Sequence, residues 1–363
     1  LSTILISAAL LFIIVGTVVG NILVCVAVCL VRRLRRPCNY LLVSLAVSDL
    51  CVALLVMPMA LVYEVLGTWP FGASACDTWV AFDVLSCTAS ILNLCMISVD
   101  RYWAITRPLD YGVKRTPARM ISCVALVWIS SACISLPPLL VLGNEHGPSA
   151  APHPPPTTTS SSSILPSNNN DQCQVCQEFG YQIYATLGSF YIPLAVMAAV
   201  YYQIFQAAKR IVDEEKKAQS HLLMTRTNSC AKQKAAAAAA AASVGGAGQP
   251  VHRVRLRFAL NKERKASTTL GIIMSAFTLC WFPFFVLALV RPFMSHQTAS
   301  LVIPRWLSSL FLWLGYANSF LNPVIYATTN KDFRLPFREI LCLRCKSLNS
   351  VMREDFYQSQ YGN

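Results

Sequence analysis

The sequence predicts an all-α membrane protein, a bundle of seven transmembrane helices followed by a short cytoplasmic amphipathic helix. Of the 363 residues, 55% are hydrophobic and only 13% are charged, which is too apolar for a soluble domain of this size. Seven segments are long enough to cross a bilayer as helices, at about 20 apolar residues each. They lie near residues 4–31, 39–64, 73–106, 117–140, 181–208, 263–290 and 303–327.

The distribution of Lys and Arg predicts the orientation of the bundle. Only Arg291 and Arg305 fall in the connections after the second, fourth and sixth segments, and the other basic residues follow odd-numbered segments or lie in the tail. Basic residues that flank spans remain cytoplasmic. We therefore expect a multi-pass plasma-membrane protein with an extracellular N-terminus and a cytoplasmic C-terminus. The net charge of +13 then reflects topology and contact with membrane lipid, and no nucleic-acid partner is expected.

The predicted organisation is one seven-helix domain over residues 1–340 and a cytoplasmic tail over 341–363. The outer connection 141–180 contains Pro, Thr and Ser runs, which predict a disordered extracellular loop. The inner connection 209–260 is a long cytoplasmic loop with a run of eight alanines. Cys342 and Cys345 follow a basic amphipathic stretch, and juxtamembrane Cys in that context predicts palmitoylation, with free thiols as the alternative.

Three cysteines face the oxidising side of the membrane. Cys76 opens the third segment, and Cys173 and Cys176 end the outer loop. A disulfide from Cys76 to one of the other two is expected. Spacing alone does not choose between them.

Asp83 is an isolated carboxylate in the apolar third segment, and the next basic residue of that segment, Arg101, is about 27 Å away along a helix. A lone charge at bilayer depth is costly and usually meets a counter-charge. The missing partner is best explained by a small cation that arrives from outside. Aromatic residues, whose ring faces attract ammonium groups, cluster in the outer halves of segments six and seven: Trp281, Phe284, Phe285 and Tyr316.

A second polar group is expected near the middle of the bilayer, around Asp49. Residues of similar depth with hydroxyl or amide oxygens are Ser90, Asn318, Ser319 and Asn322. A carboxylate with such oxygens and no basic residue suits a hard cation such as Na⁺ with waters. The alternative is a water-mediated polar network that packs the helices. No other cofactor is expected.

The inner end of the third segment carries Asp100-Arg101-Tyr102. Arg101 can pair with Asp100 and reach Glu263 at the base of the sixth segment, which would form an ionic latch between two helices. Pro283 and Pro323 each remove a helical hydrogen bond and predict hinges beside the polar groups.

Enzymatic functions fit the sequence poorly. All five His residues lie in connections, so no His-based relay or metal site is expected within the spans. Asp49 and Asp83 are at different depths, which argues against a protease dyad that shares a proton. We therefore expect no enzyme.

The motifs of the spans together resemble those of rhodopsin-like (class A) G-protein-coupled receptors. The resemblance covers all seven spans and rests on Gly20-Asn21, Leu45-Ala46-Val47-Ser48-Asp49, Asp100-Arg101-Tyr102, Trp128, Pro193, Tyr201, Trp281-Phe282-Pro283 and Asn322-Pro323-Val324-Ile325-Tyr326. It implies that the Cys76 disulfide goes to Cys173. It also implies that Tyr201 and Tyr326 rearrange on activation, when Arg101 is freed and the sixth span swings about Pro283.

Asp83, seven residues after Cys76, together with Phe284, Phe285 and Tyr316, resembles the biogenic-amine subfamily, whose Asp at this place binds the ligand ammonium. Within it the chain is most similar to serotonin receptors, and to their type 7 branch. Octopamine and catecholamine receptors have Ser where Ala185 stands. The further binding residues that the resemblance implies are Val84, Cys87, Thr88, Val175, Thr186, Ser189 and Ala288.

The resemblance implies a serotonin receptor that activates a heterotrimeric G protein, of the stimulatory type that raises cyclic AMP. The alternatives are an octopamine, tyramine or dopamine receptor, or coupling to an inhibitory G protein. A more distant alternative is an ion-coupled amine transporter that uses Asp49 and Asp83.

Overall fold

The protein is described here by a computed structural model, which covers residues 2–107, 111, 113–137, 140, 145–146, 173–176, 178–207, 209–210, 213, 251–294, 302–344 and 348–361. Side chains are described for these residues except 2–3, 145–146, 174, 251–270, 331 and 355–361. Most of the long outer and inner connections therefore lie outside the described residues, and so do the predictions made for them.

The described residues form a helical bundle, which confirms the predicted fold class. Its helices are α1 (Ser2–Leu30), α2 (Tyr40–Cys51, continued by Met57–Leu66), α3 (Ala73–Thr106), α4 (Pro117–Pro137), α5 (Phe179–Ala207), α6 (Val251–Val290), α7 (Arg305–Thr329), α8 (Lys331–Leu341) and α9 (Leu348–Tyr361). Within the described ranges, six helices are long and apolar enough to cross a membrane. The seventh, α7, has a suitable length, and polar residues on it face the interior of the bundle.

Helix α3 runs through the centre of the bundle. In its most apolar 18-residue window 61% of residues are buried, against 28% for α4. Large apolar side chains of the peripheral helices point outward instead, such as Phe12 of α1 and Leu279 of α6, which are 67% and 73% exposed. Such outward apolar faces suit contact with lipid tails. The central position of α3 places both its outer carboxylate and its inner arginine inside the bundle.

Two single π turns widen helices just before a proline. The π turn Val52–Val56 precedes Pro58 in α2, and the π turn Leu187–Tyr191 precedes Pro193 in α5. A proline has no N–H to donate to the preceding turn, so the carbonyls there need other partners. In α2 the indole N–H of Trp79 donates to the Val56 carbonyl at 3.1 Å.

Two glycines allow α7 to approach its neighbours closely. A Cβ on Gly315 would lie 2.6 Å from the ring of Trp281 on α6, and a Cβ on Gly20 would lie 2.8 Å from Pro323. Both distances are shorter than any normal carbon–carbon contact. These positions therefore fix how α6 and α1 pack against α7.

The outer end of the bundle is closed by the disulfide between Cys76 and Cys173, whose Cα atoms are 5.7 Å apart. This confirms the pairing implied by the resemblance, and Cys176 is a buried free thiol. Next to it, Glu145–His146 and Cys173–Gln174 form a short antiparallel strand pair. The sequence did not predict these strands, because Glu145 and His146 precede a low-complexity run and were assigned to the disordered loop.

The inner end of the bundle is covered by α8, as predicted, and by α9, which was not. The Asn330 side chain caps α8 by accepting a hydrogen bond from the Asp332 amide at 3.0 Å. Phe333 and Phe337 of α8 are buried, and the Phe333 ring packs 5.7 Å from that of Tyr326. Amphipathic α8 thus packs against the end of α7.

Candidate functional site

Asp83 is partly exposed on α3, beside Tyr316 of α7, at the place where the sequence predicts the amine pocket. The Cys87 thiol donates to its Oδ1 atom at 3.3 Å. The Tyr316 hydroxyl faces the same carboxylate and interacts with it electrostatically, but without the geometry of a normal hydrogen bond. Among the described residues no cationic side chain pairs with Asp83. The carboxylate therefore retains acceptor capacity for a cation.

Aromatic rings of α5 and α6 pack together in one cluster. Trp281 and Phe284 are in edge contact at 5.7 Å, and Phe284 meets Phe285 edge to face at 5.2 Å. Phe285 stacks on Phe190 of α5 with centroids 4.4 Å apart. Phe284 keeps part of its surface open, whereas Trp281 and Phe285 are buried. Phe284 is thus the ring of the α6 cluster with most surface left for a ligand.

Sequence reasoning missed Phe190, which is fully buried and joins α5 to the aromatic cluster of α6. It lies in the π turn before Pro193, where the helix is widened by one residue. That irregularity shifts which side chains face inward. The available signal was an aromatic residue three positions before a proline, which is weak by itself.

The α5 wall carries the two hydroxyl residues that the sequence singled out. Thr186 and Ser189 are both buried, and Ser189 donates to the Ala185 carbonyl at 2.6 Å. This back-bond leaves the oxygen of Ser189 able to accept a hydrogen bond from a ligand. Val175, two residues after the disulfide, packs against the core.

The remaining residues predicted to bind the ligand differ in how far their side chains are exposed. Thr88 is buried, and Val84 and Ala288 are partly exposed.

Asp49 lies at the centre of the predicted polar site and is fully buried. Ser90 of α3 and Ser319 of α7 donate to its Oδ1 atom at 2.8 and 2.9 Å. Asn322 donates from Nδ2 to its Oδ2 atom at 2.8 Å. The structure therefore brings together four of the five residues in direct contact, and Asn318 is buried nearby on α7.

Several buried polar atoms of α3 and α7 lack a hydrogen-bond partner among the described residues. They include Oδ1 of Asn318, Oδ1 of Asn322 and both side-chain polar atoms of Asn93. Buried polar groups normally pair with protein or ordered water. The surplus of oxygen acceptors fits a hard cation or water molecules better than a closed protein network.

At the inner end of α3, the Asp100 carboxylate is held by the connection between α3 and α4. Arg115 donates from Nε to Oδ1 at 2.9 Å and from Nη2 to Oδ2, and the Tyr111 hydroxyl donates to Oδ1 at 3.0 Å. Sequence reasoning offered the adjacent Arg101 as partner and missed both of these. Burial and then the Asp100 charge raise the pKa of Tyr111 to about 12, so its hydroxyl remains a donor at physiological pH.

Arg101 acts electrostatically on the hydroxyls of Tyr201 and Tyr326, which places the three predicted activation residues near one another. The side chain of Glu263 is outside the described portion of α6, so the proposed latch stays a prediction. Cys342 is exposed in the turn after α8, and Cys345 lies outside the described residues.

Comparison with known proteins places this architecture in a family. The sequence profile described as "7 transmembrane receptor (rhodopsin family)" matches residues 20–326. A Drosophila melanogaster protein named 5-hydroxytryptamine receptor 1 is 57% identical, over 92% of this chain and 63% of that protein. The chain therefore spans less than two thirds of the length of the fruit-fly protein.

Other relatives bear related names. A Xenopus laevis 5-hydroxytryptamine receptor 7 is 39% identical over 95% of this chain and 78% of that protein. A Takifugu rubripes 5-hydroxytryptamine receptor 1A-beta is 35% identical over 91% and 89%. The matched motifs, the helical bundle and these relatives agree. The chain belongs to the rhodopsin family of seven-transmembrane receptors, multi-pass plasma-membrane proteins that are receptors and not enzymes.

Proposed function

We propose that this protein is a cell-surface receptor for serotonin that activates a heterotrimeric G protein. The observation that carries the proposal is Asp83, a partly exposed carboxylate on α3 that pairs with no cationic side chain of the described residues. In this proposal the aromatic cluster of α6 lies beside the cation, and each ring face adds about 0.5–2 kcal/mol of attraction to an ammonium group. The names of the relatives in three species support the choice of amine.

In this proposal the ligand lies across the bundle from α3 to α5. Its ammonium group pairs with Asp83, and Phe284 and Tyr316 flank the cation. The indole side reaches Ser189 or Thr186, whose hydroxyl oxygens are buried in the α5 wall. The ligand acts by binding the active conformation more tightly than the inactive one.

The test is Asp83→Asn, which keeps the shape of the side chain and removes its charge. Truncating one partner of a buried charge pair costs about 2–5 kcal/mol, so serotonin affinity should fall by about 30-fold or more. Asp77→Asn, six residues nearer the outer end of α3, removes the same charge outside the pocket and serves as the control. Undiminished serotonin affinity in Asp83→Asn at normal surface expression would exclude the proposed ammonium contact.

One panel of amines, with cyclic AMP as the readout, tests both the identity of the amine and the direction of G-protein coupling. The presence of Ala185, where octopamine and dopamine receptors have Ser, favours serotonin over octopamine, tyramine and dopamine. We propose stimulatory coupling because the resemblance to the type 7 branch includes the start of α5 and the middle of α7. The relatives bear type 1, type 1A and type 7 names, which do not agree on one branch. A fall in cyclic AMP would assign inhibitory coupling instead.

Transport of labelled amine into vesicles would indicate the ion-coupled transporter alternative.

Three further features belong to this proposal. Asp49 with Ser90, Asn318, Ser319 and Asn322 holds a sodium ion, for which the surplus oxygen acceptors are the support. The N-terminus is extracellular and the C-terminus cytoplasmic, as the Lys and Arg distribution favours. Cys342 and Cys345 are palmitoylated, and the exposure of Cys342 beside amphipathic α8 supports this for the first of the two.

A further inference from the structure

The cytoplasmic end of α1 and the start of α9 border an open pocket of about 410 Å³. Arg32 and Arg33 line it from the connection after α1, and Asn349, Ser350 and Arg353 line it from α9. None of these residues takes part in the amine pocket, the Asp49 site or the Arg101 cluster. The pocket is therefore a feature that the proposed receptor function leaves unexplained.

The tail helix is held against the end of α1 by the amide of Asn349. Its Oδ1 atom accepts from the backbone N–H of Arg32 at 3.1 Å, and its Nδ2 atom donates to the carbonyl of Leu30 at 3.2 Å. These are backbone groups that the end of a helix leaves without intrahelical partners. Leu348 and Met352, on either side, are 1% and 4% exposed. The docked helix thus places Arg353 opposite the arginines of the connection.

The pocket has a positive balance of charge. Arg32 and Arg353 are exposed, and Arg33 is partly buried and forms an ion pair with Asp332 of α8 at 3.1 Å. Glu354 is exposed and follows Arg353 in α9. Within the pocket lining there are three guanidinium groups and no carboxylate. Arginine side chains recognise phosphate oxygens through paired N–H donors.

The position of the pocket indicates where the anion comes from. Leu30, to which Asn349 donates, is the last residue of a membrane-spanning helix, so the pocket opens at the level of the inner headgroups. Basic pockets at the cytoplasmic side of transmembrane helices bind phosphorylated lipid headgroups. We propose that this pocket binds a polyphosphorylated headgroup, and that docking of α9 completes the site.

The experiment uses the full chain in lipid nanodiscs that contain phosphatidylcholine and a small fraction of phosphatidylinositol 4,5-bisphosphate. Retained lipid is counted by native mass spectrometry. Arg353→Ala should reduce the retained fraction about fivefold, which corresponds to about 1 kcal/mol for one basic residue near the membrane surface. Arg344→Ala, in the turn between α8 and α9, removes the same charge outside the pocket and should have little effect.

Asn349→Ala tests whether a formed pocket or only diffuse positive charge retains the lipid, because this change removes no charge but releases α9. It should lower lipid retention as much as Arg353→Ala does, with an unchanged unfolding temperature of the bundle as the check on folding. Equal losses in Arg353→Ala and Arg344→Ala, full retention in Asn349→Ala, or equal retention of phosphatidylserine would overturn the proposal.

Soluble inositol 1,4,5-trisphosphate distinguishes the two sources of the anion. Displacement of the bound lipid by this compound at micromolar concentration would show that the headgroup alone is the ligand. Resistance to displacement, with the variant pattern above, would show that the lipid in its membrane is the ligand. In either case the pocket binds the phosphorylated group as proposed.

Discussion

Arg115→Ala is expected to destabilise the end of the bundle that carries Arg101. Arg115 holds both oxygens of Asp100, a carboxylate that is 4% exposed, while its own side chain is 16% exposed. Hydrogen bonds to charged groups contribute about 1.5–3 kcal/mol, and breaking a buried pair adds the cost of the remaining charge. The expected loss is therefore about 2–3 kcal/mol, seen as a drop of several degrees in the unfolding temperature of detergent-solubilised protein.

A double-mutant cycle tests the assignment of that loss to Asp100. If the energy resides in the pair, Arg115→Ala should cost much less in an Asp100→Asn background, with a coupling energy of about 1–3 kcal/mol. Arg119→Ala is the matched control, because Arg119 packs over the ring of Tyr111 at 5.3 Å and has no hydrogen bond to Asp100. Equal costs for Arg115→Ala in both backgrounds would refute the reasoning.

The Tyr111 hydrogen bond to Asp100 gives the same cluster a defined pH dependence. The folded pKa of about 12 exceeds the ordinary value of 10.0, so the neutral hydroxyl is the form that folding favours. Its contribution is fully present below about pH 10 and is lost as pH rises through about 12. The destabilisation by Tyr111→Phe, about 1 kcal/mol, should therefore be constant from pH 6 to pH 9, and a change within that interval would contradict the contact.

Three other outcomes are expected. Gly315→Ala should lower the unfolding temperature, because the new Cβ would lie 2.6 Å from the Trp281 ring and overpacking costs about 1–3 kcal/mol; an unchanged temperature would show that the ring moves freely. Asp49→Asn should abolish any effect of sodium, compared with potassium, on agonist affinity, and a persistent sodium effect would place the ion elsewhere. Glu263→Ala should raise basal cyclic AMP by releasing Arg101, and unchanged basal signalling would remove the latch.

The features that sequence predicted well are those determined within one segment. A span of about 20 apolar residues forms a transmembrane helix whatever its neighbours are, so the bundle was predictable. The contacts of Asp49 were predictable in part, because depth in the bilayer follows from counting residues along a helix. This count placed Ser90, Ser319 and Asn322 at the depth of Asp49, and the structure shows that all three donate to its carboxylate.

The features that sequence missed depend on how a connection returns to the bundle. The partner of Asp100 is 15 residues away, in a connection with several arginines, and no periodicity selects Arg115 from the others. The docking of α9 depends on the side-chain amide of Asn349, which donates to the carbonyl of Leu30, 319 residues earlier in the chain. Local patterns predict that a helix forms and which face it buries, but they do not contain such long-range pairings.

Four buried polar atoms without a hydrogen-bond partner among the described residues lie on α7, and four others lie on α3, α5 and α6. The Tyr316 hydroxyl is beside Asp83, Oδ1 of Asn322 is next to Asp49, and the Tyr326 hydroxyl is one turn further along α7. Each such group costs about 1–3 kcal/mol if it stays unpaired, so these positions call for ordered water or for partners gained in another conformation. These three groups run from Asp83 past Asp49 to the end of the bundle that carries Arg101, which under the proposed receptor function is the path from the ligand to the G protein. Groups with spare hydrogen-bonding capacity can exchange partners when a cation changes the charge at Asp83, whereas a fully satisfied network would resist the rearrangement.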